Sequence, residues 1–342
     1  MKEKVLITGV AGFIGAALAK KLLNKNYFVV GIDNLNEYYE TKLKIDRLRK
    51  IEEISKSKED QFLFKKLDLN DYENLIQIFK KYKPKVVINL AAQAGVRFSI
   101  EAPKKYLDSN ISGFGNILEA SRITEVRHLI FASSSSVYGG NTKLPYSESQ
   151  NVDHPLSLYA ATKKANELMA HSYSNIYNLS CTGLRFFTVY GPWGRPDMAP
   201  MIFAKSMIED KPINVFNNGL MERDFTYIDD VINAIEKCCS KPAEINILFD
   251  KSKPDSDTSF LPYRIFNIGN NKPVKLLYFI SLLEKELEKK AILNFLPMQK
   301  GDVESTWANI DSLNEWIGYK PKVSIEEGVS RFIAWYKEYF HQ

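Results

Sequence analysis

The chain has 342 residues, 45% hydrophobic and 25% charged, and its 46 Lys plus Arg against 41 Asp plus Glu leave a formal net charge of +5. That length suits one large domain carrying a smaller lobe, and the basic residues are scattered through stretches such as KKLLNK and ELEKK, which argues against a nucleic-acid footprint. Three cysteines and four histidines without ligand spacing argue against a metal site, and no apolar run reaches membrane-spanning length or forms a leader, so a cytoplasmic protein is expected.

The first elements are a strand, KVLITG, a glycine-bearing turn, VAGFIG, a helix, AALAKKLLNKN, and a second strand, YFVVGID. Gly9, Gly12 and Gly15 form GxxGxxG between the first strand and first helix, so backbone N–H groups of the turn, with Phe13 and Ile14 opening the helix, can hold a pyrophosphate. Asp33 ends the second strand, with Asn34 beside it. A carboxylate there accepts ribose hydroxyls and repels a 2′-phosphate, so NAD is expected rather than NADP.

FLFKKLDL is the third strand. Asp68, followed by Leu69, is either an acceptor at the adenine edge or the cap of the helix NDYENLIQIFKKY. The fourth strand, KVVINLAA, runs into small residues, so Ala91, Ala92 and Gln93 are expected to line the cofactor. The helix ISGFGNILEASRI and the strand RHLIFASSSS follow. Strands apolar on both faces, alternating with helices, predict a doubly wound α/β parallel sheet.

Ser134 lies at the end of that last strand, on the rim where parallel sheets bind ligands. Tyr159 and Lys163 are four apart in LYAATKK, one turn above each other on a helix. A nearby ammonium favours tyrosinate, which can take a proton from a sugar hydroxyl. The strand LSCTGLRFF then enters TVYGPWGRPDM, whose two glycines and two prolines predict a stiff loop presenting Arg195, with Trp193 packing to fix it. Beyond it the chain is irregular, with short strands (INVFN, RIFNIG, ILNFLP), two amphipathic helices (YIDDVINAIEKCC, VKLLYFISLLEKELEKK) and a polar excursion, KSKPDSDTSFLP. This divides the chain into a cofactor domain over 1–185 and a smaller, discontinuous lobe over 186–342, with about 225–240 and 262–270 returning to the large domain.

On the glycine motif, Ser134, the Tyr159–Lys163 pair and the stretches DNLNEYYETKLK, LAAQAGVRFSI, SSSSVYG, LRFFTVYGPWGRPDM and RDFTYIDD, the chain resembles the extended short-chain dehydrogenase/reductase superfamily over essentially its full length. Within it the resemblance is to nucleotide-sugar 4-epimerases, most of all the UDP-glucuronate 4-epimerases. It implies a Rossmann-type fold, tightly held NAD, and reversible conversion of UDP-glucuronate to UDP-galacturonate through a 4-keto sugar. Tyr159 is then the base, Lys163 the partner of the nicotinamide ribose, and Ser134 a hydrogen-bond donor to the reacting oxygen. Arg223 resembles the family's diphosphate contact and Asp302 its nucleotide-ribose acceptor, a structural salt bridge being the other reading of each. Arg97, beyond a strand end, is expected near the sugar or pyrophosphate. Ser135 and Ser136 stand where related 4,6-dehydratases carry an Asp-Glu pair. With Thr188 and the planar fork of Arg195 they are expected to hold a C6 carboxylate. Phe98 departs from the tyrosine expected there. The resemblance also implies a homodimer paired through the helix after YLDSN and the one carrying Tyr159. A UDP-glucose or UDP-N-acetylglucosamine 4-epimerase and a UDP-glucuronate decarboxylase are the alternatives.

Overall fold

The β-branched, apolar segments of the sequence become the strands of the fold. In the computed structural model, which describes residues 2–58, 61–299 and 301–341, the strands are β1 (Lys4–Thr8), β2 (Phe28–Asp33), β3 (Phe62–Lys66), β4 (Val86–Asn89), β5 (His128–Ser134), β6 (Cys181–Phe186), β7 (Thr188–Tyr190), β8 (Ile213–Val215), β9 (Glu222–Tyr227), β10 (Tyr263–Ile268), β11 (Pro273–Lys275) and β12 (Leu293–Phe295). Seven of them form one parallel sheet in the order β10-β6-β5-β4-β1-β2-β3. Between β1 and β4 the order reverses, which opens a crevice at their C-terminal ends.

Alternate residues of each strand face opposite layers. Val5, Ile7, Val29 and Ile88 pack with Leu18 and Leu22 of the helix Phe13–Asn24 and with Val231 and Ile235 of the helix Ile228–Ser240. Leu6, Val30, Val87 and Phe131 pack on the other side with Phe79, Phe114 and Ile117. Each fully buried side chain of this kind stabilises the fold by about 1.5 to 3 kcal/mol. The first layer continues beyond the large sheet through Tyr190, Phe225, Phe279 and Phe332, with the rings of Phe225 and Phe279 stacked at 4.5 Å. Beside the large sheet stand a three-stranded sheet, β11-β9-β7, and the pair β12-β8.

Two of the features that differ from the sequence reading bear on the cleft. Thr188–Tyr190 is a strand, paired with Phe225–Tyr227, so the stiff loop starts at Gly191. A helix at Thr41–Lys56 fills the connection between β2 and β3, where the sequence reading places none. Its inward face consists of Leu43, Lys44, Arg47, Leu48, Ile51 and Ser55, so two buried cations interrupt the apolar stripe that would announce it.

His128 opens β5 with no exposed surface. Its Nε2 pairs with the Thr182 hydroxyl at 2.8 Å, and burial pushes its pKa down to about 3. The unfolded chain binds this proton below about pH 6.5 while the folded one resists it, so stability is lost as pH falls from about 6.5 toward 3, at roughly 1.4 kcal/mol per pH unit. Urea unfolding at stepped pH should show this loss flattened in His128→Gln. Parallel decline of both proteins would assign the acid sensitivity to other groups.

Candidate functional site

At the reversal point β1 and β4 are tied side to side: the Thr8 hydroxyl donates to Asn89 Oδ1 at 2.6 Å and accepts from the Ala91 N–H at 3.1 Å. The glycine turn sits on this junction. Gly9 has φ +69, and a side chain there would place Cβ 2.8 Å from the Ala91 nitrogen; at Gly15 it would lie 2.1 Å from the Gly9 carbonyl oxygen. Only glycine permits this closeness. The helix that follows has no side-chain N-cap, so its first N–H groups are available to an anion. Asp33 accepts from the N–H groups of Ala11 and Leu35 at 3.0 and 2.8 Å, and burial raises its pKa against those bonds. The cleft wall continues through Phe13, Ile14, Asn34, Asp68, Leu69, Ala91, Ala92 and Gln93. Asp68 accepts from Asn34 and from the Asn70 N–H, while Asp71 caps the next helix, which removes the capping role from Asp68. A tight glycine turn, a carboxylate at the end of β2 and small residues after β4 fit a dinucleotide.

Ser134, Tyr159 and Lys163 line the same cleft. Desolvation raises the Tyr159 pKa, and the Ser134 hydroxyl and the Arg195 charge counter it. Lys163 is buried, donates to the Ala132 carbonyl at 2.9 Å, and has its pKa lowered to about 8 by burial. The sequence reading gives the pull on the phenol to the Lys163 ammonium; in the structure that ammonium donates to the Ala132 carbonyl, and Ser134 and the guanidinium of Arg195 are the groups acting on the phenol. One turn beyond Lys163, Glu167 accepts from the Ser133 hydroxyl at 2.6 Å and from Nε and Nη2 of Arg185, both at 2.9 Å.

Ser135, Ser136, Thr188 and Arg195 complete the wall beside Tyr159. Arg195 carries a correction: the sequence reading gives its whole fork to a ligand, whereas Asp197 takes its Nε and Nη2 edge at 3.0 and 2.5 Å and also accepts from the Tyr38 hydroxyl at 3.1 Å. Trp193 packs on Trp335 and Tyr339, with ring centroids at 5.4 and 4.9 Å. Arg97, Arg223 and Asp302 are not among the residues of this wall and gather with one another, Asp302 lying 3.5 Å from Arg97 and in the salt bridge to Arg223, at 3.1 Å, that is the other reading of that pair. Phe98 packs its ring on Tyr38 at 4.9 Å, a contact that requires no hydroxyl.

The sequence reading missed several residues of the site. Lys44 and Tyr38 lie on the cleft wall. Asn110, within a π-helical turn at Leu107–Ser112, accepts from the Gln93 N–H and donates to the Gln93 carbonyl and the Thr162 hydroxyl, while its carbonyl accepts from Asn166. It therefore fixes the exit of β4 to the Tyr159 helix. An extra residue in a helical turn leaves no sequence signature, although such turns recur at functional sites.

Residues 6–332 match the family described as GDP-mannose 4,6 dehydratase. The chain belongs to this family of extended short-chain dehydrogenases/reductases. A Staphylococcus aureus relative named Protein CapI is 53% identical over 337 residues, spanning 98% of this chain and 99% of its own. A probable UDP-glucuronate 4-epimerase of Rhizobium meliloti is 44% identical over 340 residues, spanning 99% and 98%. The solved UDP-glucuronic acid 4-epimerase of Bacillus cereus, in complex with UDP-glucuronic acid and NAD, matches with a TM-score of 0.84 at 35% identity, covering 98% of this chain and 99% of that one.

The family's description names a dehydration, which needs an acid and a base beside the sugar. Here hydroxyls, those of Ser135 and Ser136, follow Ser134 on the wall. Among the described residues no helix is long and apolar enough to cross a membrane.

Proposed function

We propose that this chain is an NAD-dependent UDP-glucuronate 4-epimerase, converting UDP-glucuronate reversibly to UDP-galacturonate through a 4-keto sugar. The observation that carries the reading is one wall of the cleft, where the Arg195 guanidinium and the hydroxyls of Ser135, Ser136 and Thr188 stand beside Tyr159. A cation among hydroxyl donors suits a carboxylated sugar. Burial opposes the Arg195 charge and the Asp197 carboxylate more than offsets it, so Arg195 stays cationic. Asp197 also fixes the plane of the guanidinium, and its Nη1 side is the edge that the substrate carboxylate takes.

Bound NAD supplies the acceptor and donor for the hydrogen at sugar C4. It would be held by the glycine turn, Asp33, the small residues after β4, and Lys163. Tyr159 takes the proton of the 4-hydroxyl and later returns it, with Ser134 holding the reacting oxygen by a hydrogen bond. Arg195 and Ser134 both pull the phenol toward ionisation. The 4-keto uronate is a β-keto acid: if its C5–C6 bond aligns with the ketone π-system it breaks, carbon dioxide leaves, and the electron pair passes to a C4 enolate that is protonated at C5. Fixing the carboxylate prevents that alignment. Arg97 and Arg223 supply charge for the diphosphate, and Asp302 an acceptor for the nucleotide ribose. Their mutual ion pairs keep the three together. A cytoplasmic location belongs to the same reading, supported by Cys181, Cys238 and Cys239 being free and buried.

Incubation with UDP-glucuronate and mass analysis of the products tests the reading. A product of unchanged mass and altered configuration supports it. Carbon dioxide as the main product would make the chain a decarboxylase, and turnover of UDP-glucose alone a neutral-hexose epimerase.

Tyr159→Phe should keep both ligands and lose roughly 10²- to 10⁴-fold in turnover, the usual contribution of a placed proton-transfer group. Near-normal turnover would transfer the base role to Ser134. Arg195→Ala should lower kcat/KM for both uronate substrates by about 10- to 150-fold, from about 1.5 to 3 kcal/mol for a charged hydrogen bond, and by less for UDP-glucose. Arg195→Lys restores charge without the fork and should recover part of it. Equal losses for uronate and hexose would assign Arg195 to Tyr159 or to the loop alone.

A homodimer is part of the proposal. Ile123, Leu168 and Ile176 are exposed apolar side chains on the two helices expected to pair. Sedimentation equilibrium should give twice the chain mass, and a monomer at working concentration would refute the pairing.

A further inference from the structure

Arg47 is 2% exposed, and the hydrogen bonds it donates reach neutral oxygens. Its Nη1 reaches the Ala11 carbonyl at 3.0 Å and the Tyr39 hydroxyl at 2.7 Å; its Nη2 reaches the carbonyls of Trp193 and Gly194 at 2.6 and 3.1 Å. Ala11 lies inside the glycine turn, and its N–H donates to Asp33. Trp193 and Gly194 immediately precede Arg195. One guanidinium therefore joins the dinucleotide turn to the loop that faces the sugar.

A buried cation with no carboxylate in hydrogen-bond reach among the described residues is costly, and an apolar side chain of similar size would fill the same space. The geometry that Arg47 maintains accounts for that cost. Trp193 has φ 65, a left-handed conformation disfavoured for a residue with a bulky side chain, between Gly191 at φ 137 and Gly194. The two Nη2 bonds hold the carbonyls of two successive peptides, Trp193–Gly194 and Gly194–Arg195, so the strained turn keeps one orientation. A rigid planar fork can serve both pairs of acceptors; an ammonium cannot.

We propose that Arg47 is a positioning residue for sugar selectivity, holding the Arg195 loop in register with the dinucleotide turn so that Arg195 meets a C6 carboxylate in a fixed place. The inference rests on the uronate reading above. It predicts that loss of Arg47 leaves recognition of the nucleotide intact and loosens recognition of the carboxylate.

The test uses the NAD-loaded wild type, Arg47→Met and Arg47→Lys. Calorimetry gives the affinity for UDP, UDP-glucose and UDP-glucuronate, and product analysis gives the fraction of turnover ending as carbon dioxide. In Arg47→Met, UDP affinity should be unchanged while UDP-glucuronate binds about tenfold more weakly, as for loss of one charge-assisted contact, and the carbon dioxide fraction should rise. Arg47→Lys should fall between that variant and wild type. If Arg47→Met does not fold, Arg47→Lys decides by the same two readouts. Equal weakening of UDP and UDP-glucuronate, or lower thermal stability with discrimination and carbon dioxide fraction unmoved, would leave Arg47 a structural residue and overturn the proposal. A wild type that binds UDP-glucuronate no better than UDP-glucose would instead bring down the uronate reading, and this inference with it.

Discussion

Arg185 lies on β6 with no exposed surface, and its guanidinium meets both carboxylate oxygens of Glu167 at 2.9 Å. Glu167 in turn accepts from Ser133, and Arg185 also donates to the Tyr138 hydroxyl at 3.1 Å. This one pair fastens the ends of two neighbouring strands to the helix that carries Tyr159 and Lys163. Removing one partner of such a pair costs about 3 to 5 kcal/mol, because the other is left as an uncompensated buried charge. Tyr159, Lys163 and Glu167 are spaced by four along one helical face, so anchoring the last also fixes the rotation of the first two. The Tyr159–Lys163 pair is set by a polar lock in the interior.

The charges of the cleft follow a common logic. Lys44 has its pKa lowered by burial, as does Lys163, while Asp197 secures the charge of Arg195. Cations whose charge is costly in isolation are those that gain most from an incoming anion. Asp33 is a buried carboxylate whose two oxygens already accept from backbone N–H groups, so it enters the site with a fixed orientation.

What the sequence revealed was what a single element carries. The glycine turn with Asp33, the serine-rich end of β5 and the Tyr159–Lys163 pair each depend on spacing within a strand, turn or helix, and the structure brings them to one cleft. Arg47 and Lys44 were hidden because they are cations on the buried face of a helix, against the pattern by which helices are recognised. Asp197 stood two residues from Arg195, yet only folding shows that it takes an edge of the fork. Asn110 depends on a π-turn, and the gathering of Arg97, Arg223 and Asp302 depends on contacts between distant parts of the chain.

Trp193 lies against Trp335 and Tyr339 of the helix Ile325–Phe340, and the Tyr339 hydroxyl donates to Asp46 at 2.6 Å, next to Arg47. The loop that presents Arg195 to the cleft therefore has its backing far downstream in the chain. Domains emerge from the ribosome N-terminal part first, so the glycine turn, the strand carrying Ser134 and the Tyr159 helix are all synthesised before the residues that support this loop. During biogenesis the glycine turn and the Tyr159 helix precede the completed Arg195 wall of the cleft, and the last described helix is the one that finishes it.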